Sequence, residues 1–386
     1  MRRFLALLLL ALPLAACGDK AGDDSTLKIG LIVSLTGNYA PLGTEDKKAV
    51  ELAVQQIDNA GGLLGRKIEL ITKDDKSQPE QSVLAFNDLK GAGVAAVIGS
   101  PFSNSALATI PQVDREKIPY ISLTPADEQV KPLHPYVFVV PATSATYADR
   151  ILQYYQAQGI TKVAVAHDRR SSYANAGTAG MKAKAAQYGV TLVADEQFET
   201  TTTEFSAVLN HVRASGAQAL TVWATGPPAV AFAKQYATAG LKIPLMFTGA
   251  QASTLWLKPT GPAAEGVNVA SSIAVVGDAL PAGPQKSAIE ELANPFTTQY
   301  GYPPPQFAAD GYTGMKLLAA AVTAANSADH EKIQKAFEGL TLTTPNGTYH
   351  YSATDHAGLT ADYISINVVK GGKFEATDWA KGKLAG

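Results

Sequence analysis

The side chains best suited to catalysis or metal binding do not cluster in this sequence. Only His350 and His356, of six histidines, lie close together, with Asp355 between them. A protein zinc site needs three or four ligands at set spacings, and no further ligand follows this pair at a helical or loop spacing. We therefore expect a solvated turn here, with no metal site and no bound cofactor.

Motifs for phosphate binding and nucleophilic catalysis are missing as well. Gly37, Gly43, Gly61, Gly62 and Gly65 make the first part of the chain glycine-rich. None of them belongs to a G-x-x-x-x-G-K-[ST] or G-x-G-x-x-G motif, and no G-x-S-x-G elbow would expose a serine. These glycines are expected to cap helices and form turns, and the sequence predicts no catalytic residue.

Polar and aromatic side chains follow the ends of two predicted strands. The apolar run 27–35 leads into loop 36–43, which holds Tyr39 and Leu42, and the strand 94–98 leads into loop 99–105, which holds Phe102 and Ser103. Ligands of parallel α/β sheets bind beyond the carboxyl ends of the strands. The two loops are therefore predicted to form one wall of a ligand site.

The segments between these loops must position them. Apolar residues at spacings of three and four predict a helix over 44–59, with Glu45 and Asp46 in its first turn. A strand over 67–72 and a helix over 78–90 follow. The order strand, helix, strand, helix, strand predicts a parallel sheet with right-handed crossovers.

The same alternation starts again in the second part of the chain. Further strands are predicted at 118–122, 136–140, 162–166, 190–194, 219–223 and 245–247, and further helices at 173–188, 204–214, 228–239, 284–300, 309–325 and 329–338. A final strand is predicted at 363–369. The fold class expected from this order is α/β, with two doubly wound parallel-sheet lobes.

Several stretches resemble one known family. They are SLTG, NAGGLLGRKIEL, DDKSQPEQ, AVIGSPFSNSALATIP, IPYISLTPAD and DHAGL, and the likeness extends over nearly all of 27–375. The chain is similar to the branched-chain amino-acid-binding proteins of ABC importers, which have the type I periplasmic-binding-protein fold. The resemblance implies a three-crossing hinge between an N-terminal lobe (27–142 and 274–362) and a C-terminal lobe (143–273 and 363–386).

The resemblance also implies where the first lobe holds its ligand. Family members bind the ligand carboxylate with a serine that matches Ser103 and with groups that match Thr124 and Ala126. The family has a hydroxyl at the position of Ala126, and we expect Thr124 to supply it. Hydroxyl donors suit a carboxylate because hydrogen bonds to an ionised acceptor are strong.

In the second lobe the family positions match Tyr173 at a helix start, Gly226 after a strand and Gln251 after another. Phe307 matches an aromatic wall. The family has an acid for the ligand ammonium at the place of Gln251, so this departure predicts a carboxylate ligand without an α-ammonium group.

Other acids could replace the one that is missing at Gln251. The candidates are Asp127, Glu128, Asp168 and Asp310. Two arginines, Arg169 and Arg170, precede Tyr173 and would either bind an anion or lie in a solvated basic loop.

The first residues have the pattern of an export signal. Arg2-Arg3 precede an apolar run over 4–14, which is too short to span a bilayer. Leu14-Ala15-Ala16-Cys17 resembles a bacterial lipobox, and Cys17 is the only cysteine in the chain. We predict a signal peptide over 1–16, lipidation of Cys17, and a flexible tether over 17–26.

Length and charge narrow the function classes. A chain of 386 residues with 46% apolar residues usually makes two domains. A net charge of −2 gives no electrostatic reason to expect a nucleic-acid partner. The family resemblance implies a small-molecule ligand and the permease subunits of an ABC transporter as partners, and the lipobox implies a membrane. We expect a monomer.

These observations predict an exported lipoprotein, anchored at the cell envelope, that delivers an amino acid or carboxylic acid to an ABC importer. The alternative is a sensory binding module of the same fold that signals to a membrane receptor, and permease and ATPase genes beside its own would favour transport. An exported hydrolase would need a nucleophile–base pair, which the sequence does not offer.

The lipobox interpretation is tested by Cys17→Ser, which removes the thiol that would be acylated. The variant is expected to leave the membrane fraction or to accumulate as an uncleaved precursor, followed by fractionation and gel mobility. A chain that begins after residue 26 is the control and is expected to fold, because residues 1–26 offer no core. If Cys17→Ser fractionates and migrates like the parent protein, Cys17 is not a lipidation site.

Overall fold

The computed structural model describes residues 26–384. Its strands are β1 Thr26–Val33, β2 Lys67–Asp74, β3 Val97–Gly99, β4 Tyr120–Ser122, β5 Val137–Val139, β6 Lys162–Asp168, β7 Thr191–Phe198, β8 Ala219–Trp223, β9 Leu245–Phe247, β10 Asn268–Ser272, β11 Thr341–Thr344, β12 Gly347–His350, β13 Ile364–Lys370 and β14 Lys373–Ala376. Its α-helices are α1 Ala40–Asn59, α2 Pro79–Ala92, α3 Ser103–Glu116, α4 Ser144–Ala157, α5 Ser172–Lys184, α6 Ser206–Ala214, α7 Pro227–Thr238, α8 Thr254–Thr260, α9 Pro284–Tyr300, α10 Gln306–Ala325, α11 His330–Phe337 and α12 Asp378–Leu384.

The first sheet has five parallel strands in the order β2-β1-β3-β4-β5. Buried apolar residues run along β1, which pairs with β2 on one side and β3 on the other. The direction of chain winding therefore reverses between β1 and β3. Doubly wound sheets bind their ligands at such a reversal.

The second sheet repeats this topology and adds two strands. Its order is β14-β13-β10-β9-β8-β6-β7, and the five strands from β10 to β7 are parallel. The winding reverses between β6 and β8, as it does between β1 and β3 in the first sheet. Strands β13 and β14 join antiparallel, so this sheet is mixed at one edge.

The chain passes between the two lobes three times. It leaves the first sheet after β5, and α4 then packs on α5 beside the second sheet. It returns after β10, so that α10 packs on α1 of the first lobe, and it crosses again between β12 and β13. The α/β fold with two doubly wound lobes and a three-crossing hinge, predicted from the sequence, is confirmed.

Helix α1 lies unusually close to two neighbours, and a glycine stands at each contact. A Cβ atom on Gly43 would lie 2.1 Å from the backbone oxygen of Ser34, at the end of β1. A Cβ atom on Gly311 in α10 would lie 2.5 Å from the backbone oxygen of Asp46 in α1. These contacts hold α1 against both β1 and α10.

Some element boundaries differ from the sequence prediction. Helix α1 begins at Ala40 and not at residue 44, because Pro41 fits the first turn of a helix and Gly43 allows the close contact with Ser34. The strand at 363–369 is not the last one. Gly371 and Gly372 both have positive φ and form the two-residue turn of a hairpin with β14.

Residues 26–384 include no helix that is both long and apolar enough to cross a membrane. The predicted signal peptide, Cys17 and all of the predicted tether except Thr26 lie outside the described residues.

The close packing of α1 is tested by Gly43→Ala. The added methyl group would overlap backbone atoms of Ser34, so the free energy of unfolding should fall by about 1–3 kcal/mol, as for other overpacked sites. The measurement is urea unfolding followed by circular dichroism. Gly91→Ala in α2 is the matched control, because nothing lies within 4 Å of its Cβ position, and it should stabilise the helix slightly. Equal stability of both variants would contradict the contact.

Candidate functional site

The loops at the carboxyl edge of the first sheet are fixed by one buried carboxylate. Ser34, just after β1, donates a hydrogen bond from Oγ to Asp75 Oδ1 over 2.6 Å. Ser100, just after β3, donates from Oγ to Asp75 Oδ2, also over 2.6 Å. Asp75 itself follows β2 and is fully buried. The ends of the three strands are thereby held at fixed positions around the winding reversal.

An aromatic wall stands on these two loops. The backbone N–H of Tyr39 donates to Ser77 Oγ over 3.0 Å. The Tyr39 ring stacks on Phe102, with 4.0 Å between centroids and 21° between planes. Leu42 and Phe307 complete the buried cluster. The wall is flat and apolar, which suits a ring or a branched chain of a ligand.

Beside this wall lies a group of donors at the start of α3. Ser103 is the first residue of the helix, and its Oγ lies 2.5 Å from Thr124 Oγ1. No side chain caps the helix start, so the first backbone N–H groups and the positive end of the helix dipole are available to an anion. Gln129 Nε2 donates to the Thr124 carbonyl over 2.8 Å and holds that loop.

The second lobe contributes residues that follow its own strand ends. Ser171 follows β6, Thr225 follows β8 and Thr248 follows β9. The Tyr173 hydroxyl lies 2.7 Å from Thr248 Oγ1, which fixes the ring at the beginning of α5. These side chains face the first-lobe wall across the space between the lobes.

The surfaces from both lobes enclose one cavity at the two winding reversals. It has about 510 Å³ of space that is not filled by protein atoms, part of which opens to solvent. Clefts with apolar walls and a few polar groups are the usual sites for small organic ligands. The position and lining of this cavity make it the candidate ligand site.

An acid stands at the hinge end of the cavity. Asp310 in α10 is 2% exposed and lines the cavity. It accepts hydrogen bonds from Asn346 Nδ2 over 2.7 Å and from Gln306 Nε2 over 3.3 Å. Burial raises the pKa of Asp310 to about 7, because a dry surrounding disfavours the charged form.

A second buried acid lies near Asp310 but outside the cavity lining. Neither carboxylate oxygen of Asp46 has a hydrogen-bond partner among the described residues. Burial, followed by the nearby Asp310 and Glu45, holds the pKa of Asp46 well above its usual range. Both acids therefore keep their protons to a higher pH than a solvent-exposed aspartate does.

The two lobes touch across the mouth of the cavity, so the structure is a closed form. Asn104 Nδ2 donates to the Arg170 carbonyl over 2.9 Å, and the Ser172 N–H donates to Asn104 Oδ1 over 3.0 Å. A Cβ atom on Gly226, whose φ is 70°, would lie 3.3 Å from the Asn38 oxygen. Asn104 belongs to the first lobe and its two partners to the second.

Seven of the predicted ligand-binding residues are brought together in the cavity lining. They are Tyr39, Leu42, Phe102, Ser103, Thr124, Tyr173 and Phe307. Their roles in binding stay predictions, since the placement alone shows only that they share one cavity.

The other three predicted residues lie outside the cavity lining. Ala126 is buried and its carbonyl accepts a hydrogen bond from Gln129 Nε2 over 2.9 Å. Gly226 lies at the contact with Asn38 described above. Gln251 is fully buried and donates from Nε2 to the Ala224 carbonyl over 2.9 Å. The Nε2 end of Gln251 is therefore tied to the backbone, whereas its Oε1 has no hydrogen-bond partner among the described residues.

Three of the four acids considered as replacements do not reach the cavity lining. Asp127 accepts from the Ala145 N–H over 2.9 Å, Glu128 is exposed, and Asp168 accepts from Thr200 Oγ1 over 2.7 Å. Asp310 is the acid that lines the cavity.

The two arginines before Tyr173 are engaged elsewhere in the structure. Arg169 and Arg170 both bind the carboxylate of Glu199 at the surface. Among residues 26–384, no group of three or more potential ligands could hold a metal ion.

Several lining residues were not predicted from the sequence. Ser171, Thr225 and Thr248 follow strand ends, and the rule that identified the first-lobe loops would have found them. Tyr147 and Gln306 offered no such signal, because only the three-dimensional arrangement of the hinge brings them to the cavity.

Comparison with known proteins gives a consistent result. A family model described as "Periplasmic binding protein" matches residues 26–373. The "Leu/Ile/Val-binding protein homolog 3" of Brucella melitensis is 25% identical over 377 residues, which cover 96% of this chain and 96% of the relative.

Solved structures share the fold. The solute-binding protein of an ABC transporter from Rhodopseudomonas palustris, in complex with benzoate, is 24% identical with a TM-score of 0.80, covering 91% of this chain and 95% of that chain. A second solved structure is the branched-chain amino-acid transporter substrate-binding protein LivJ from Streptococcus pneumoniae, in complex with isoleucine. It is 22% identical with a TM-score of 0.79, and the match covers 91% of this chain and 98% of that chain.

The raised pKa of Asp310 predicts how stability depends on pH. Between its ordinary value of 3.8 and its folded value of about 7, the folded chain keeps a proton that the unfolded chain releases. The stabilising effect of this retained proton is therefore fully present below pH 3.8 and is lost as pH rises to about 7. The loss amounts to up to about 4 kcal/mol of unfolding free energy, because each pH unit in this range costs about 1.4 kcal/mol.

Asp310→Asn removes this titration, so the variant should lose less stability than the parent between pH 5 and 8. Urea unfolding at several pH values measures the difference. Asp88→Asn is the control, because Asp88 is a surface acid that pairs with Lys73. Parallel stability profiles for the parent and Asp310→Asn would contradict the raised pKa.

Proposed function

Since the chain belongs to the branched-chain amino-acid-binding family of type I periplasmic binding proteins, we propose that it binds a small organic solute for an ABC importer. The solute would be an amino acid or a carboxylic acid. One observation carries the proposal. The enclosed cavity lies at the winding reversals of both lobes and combines an aromatic wall with hydroxyl donors. A solute that contacts both lobes favours the closed form through its differential affinity.

We assign the carboxylate of the solute to the start of α3. Ser103 and Thr124 each offer a hydroxyl group there, and the first turn of the helix adds N–H donors and partial positive charge. The lining of the cavity contains no lysine or arginine. Neutral donors and a helix dipole would therefore carry the recognition of the anion.

The rest of the ligand would lie against the aromatic wall. The stacked rings of Tyr39 and Phe102, with Phe307 beside them, favour a flat apolar group. Gln251 is neutral and lies outside the cavity lining, so it gives no charged partner for an α-ammonium group. We therefore favour an aromatic carboxylate over leucine, isoleucine or valine, and the related fold that was solved with benzoate is compatible with this choice.

We propose further that the protein is exported as a lipoprotein through Cys17 and works as a monomer at the cell envelope. Its lobes would comprise residues 27–142 with 274–362, and 143–273 with 363–386. Transport chemistry would belong to the permease and ATPase subunits, and this chain would supply only binding and release.

Calorimetry with leucine and with benzoate tests the ligand class. Benzoate is expected to bind more tightly, because burying an ammonium group without a charged partner costs several kcal/mol. Micromolar leucine binding would contradict the proposed class and would indicate that an acid such as Asp310 serves the ammonium.

Ser103→Ala tests the carboxylate position. The loss of one hydrogen bond to a charged group should weaken benzoate binding by about 1–3 kcal/mol. Ser105→Ala is the matched control, because Ser105 lies in the same helix, is buried, has no hydrogen-bond partner for its hydroxyl and does not line the cavity. Equal affinity of the two variants would place the carboxylate elsewhere.

A further inference from the structure

The amides around Asp310 have a fixed orientation. The backbone N–H of Ser272 donates to Gln306 Oε1 over 2.7 Å, and Ser272 Oγ donates to Asn346 Oδ1 over 2.9 Å. Ser272 ends β10, at the second passage between the lobes. Because both amide oxygens are occupied, the NH₂ groups of Gln306 and Asn346 must be the ends that face Asp310.

These contacts leave part of the Asp310 carboxylate unused. Oδ1 receives Asn346 Nδ2 at 2.7 Å and Gln306 Nε2 at 3.3 Å, whereas Oδ2 receives only Gln306 Nε2 at 3.3 Å. An ionised carboxylate has about four acceptor positions. Since Asp310 also lines the cavity, its spare acceptor capacity is available to a ligand there.

The protein offers no cation to this carboxylate. The lining of the described cavity contains no lysine, arginine or histidine, and the two direct partners of Asp310 are neutral amides. A buried acceptor without enough donors is unfavourable, because leaving its hydrogen bonds unmade costs free energy. The missing donor is therefore expected to come from the occupant of the cavity.

We propose that Asp310 is a specificity-determining residue, which accepts a hydrogen bond from a ring hydroxyl of an aromatic carboxylate bound at the start of α3. This inference rests on the proposed function, because it needs the ligand carboxylate beside Ser103 and Thr124. The ligand class is then a hydroxylated aromatic acid that spans the cavity, with its ring on the wall of Tyr39 and Phe102.

A hydroxyl suits this place better than an ammonium group. With its pKa raised to about 7 by burial, Asp310 exists in both protonation states near neutral pH. A hydroxyl donates to the ionised form and accepts from the acid form, whereas an ammonium group pairs only with the ionised form. A buried ion pair also carries the cost of removing both charges from water.

The test is calorimetry with benzoate, 3-hydroxybenzoate, 4-hydroxybenzoate and 4-(aminomethyl)benzoate on the purified protein. At least one hydroxybenzoate should bind about tenfold or more tightly than benzoate, the effect of one hydrogen bond to a charged acceptor. In Asp310→Ala the ratio of the two dissociation constants should fall to about one, because the acceptor is gone. Thermal unfolding confirms that the variant is folded.

Two further variants keep the result interpretable. Asp310→Asn preserves the shape of the side chain, but its one oxygen would accept from the neighbouring amides and its NH₂ group can only donate to a ring hydroxyl, so the preference should fall, though by less than in Asp310→Ala. Asp88→Asn is the control, since Asp88 is a surface acid that pairs with Lys73 and lies outside the cavity lining, and it should keep the wild-type ratio.

Each other outcome overturns a defined part of the inference. Hydroxybenzoates that bind no more tightly than benzoate would overturn the role of Asp310 and leave the proposed function intact. A preference that survives in both Asp310 variants would assign the hydroxyl to another residue. Tightest binding of 4-(aminomethyl)benzoate would replace the hydroxyl with an ammonium group. No binding of any of these acids would overturn the inference together with the proposed ligand class.

Discussion

The paired hydrogen bonds of Asp75 are the constraint on which the first half of the cavity depends. One buried carboxylate receives the hydroxyl groups that follow β1 and β3, so the two loops at the winding reversal cannot shift independently. The stacked rings of Tyr39 and Phe102 stand on those loops, and the start of α3 follows directly. The aromatic wall and the donor group are thus parts of one rigid unit.

The second lobe also holds its cavity loops in fixed positions, but with different residues. Its five parallel strands have the same order as those of the first lobe, and its cavity residues also follow strand ends. Here Asp168 holds the loop after β6, through the backbone N–H of Arg170 at 2.9 Å and the hydroxyl of Thr200. Two similar frameworks therefore face each other across the cavity.

Local patterns in the sequence predicted most of the framework. Alternating strands, helical stripes and turn residues gave the α/β order, and α9 was placed at its observed bounds. The hairpin of β11 and β12 was missed, because its strands are only four residues long. That hairpin carries Asn346 to Asp310, so the partners of this acid could not be foreseen. The residues around Asp310 are distant from one another in sequence, and only long-range packing brings them together.

The Asn104 contacts across the mouth have a consequence for release as well as for capture. They join the lobes through two hydrogen bonds that do not involve a ligand. Each kcal/mol that they give to the closed form would raise the apparent affinity about fivefold where the open form predominates. The same contacts would lengthen the lifetime of the loaded state. If the protein serves an importer as proposed, the partner that empties it would have to supply enough binding energy to separate two lobes that already hold each other.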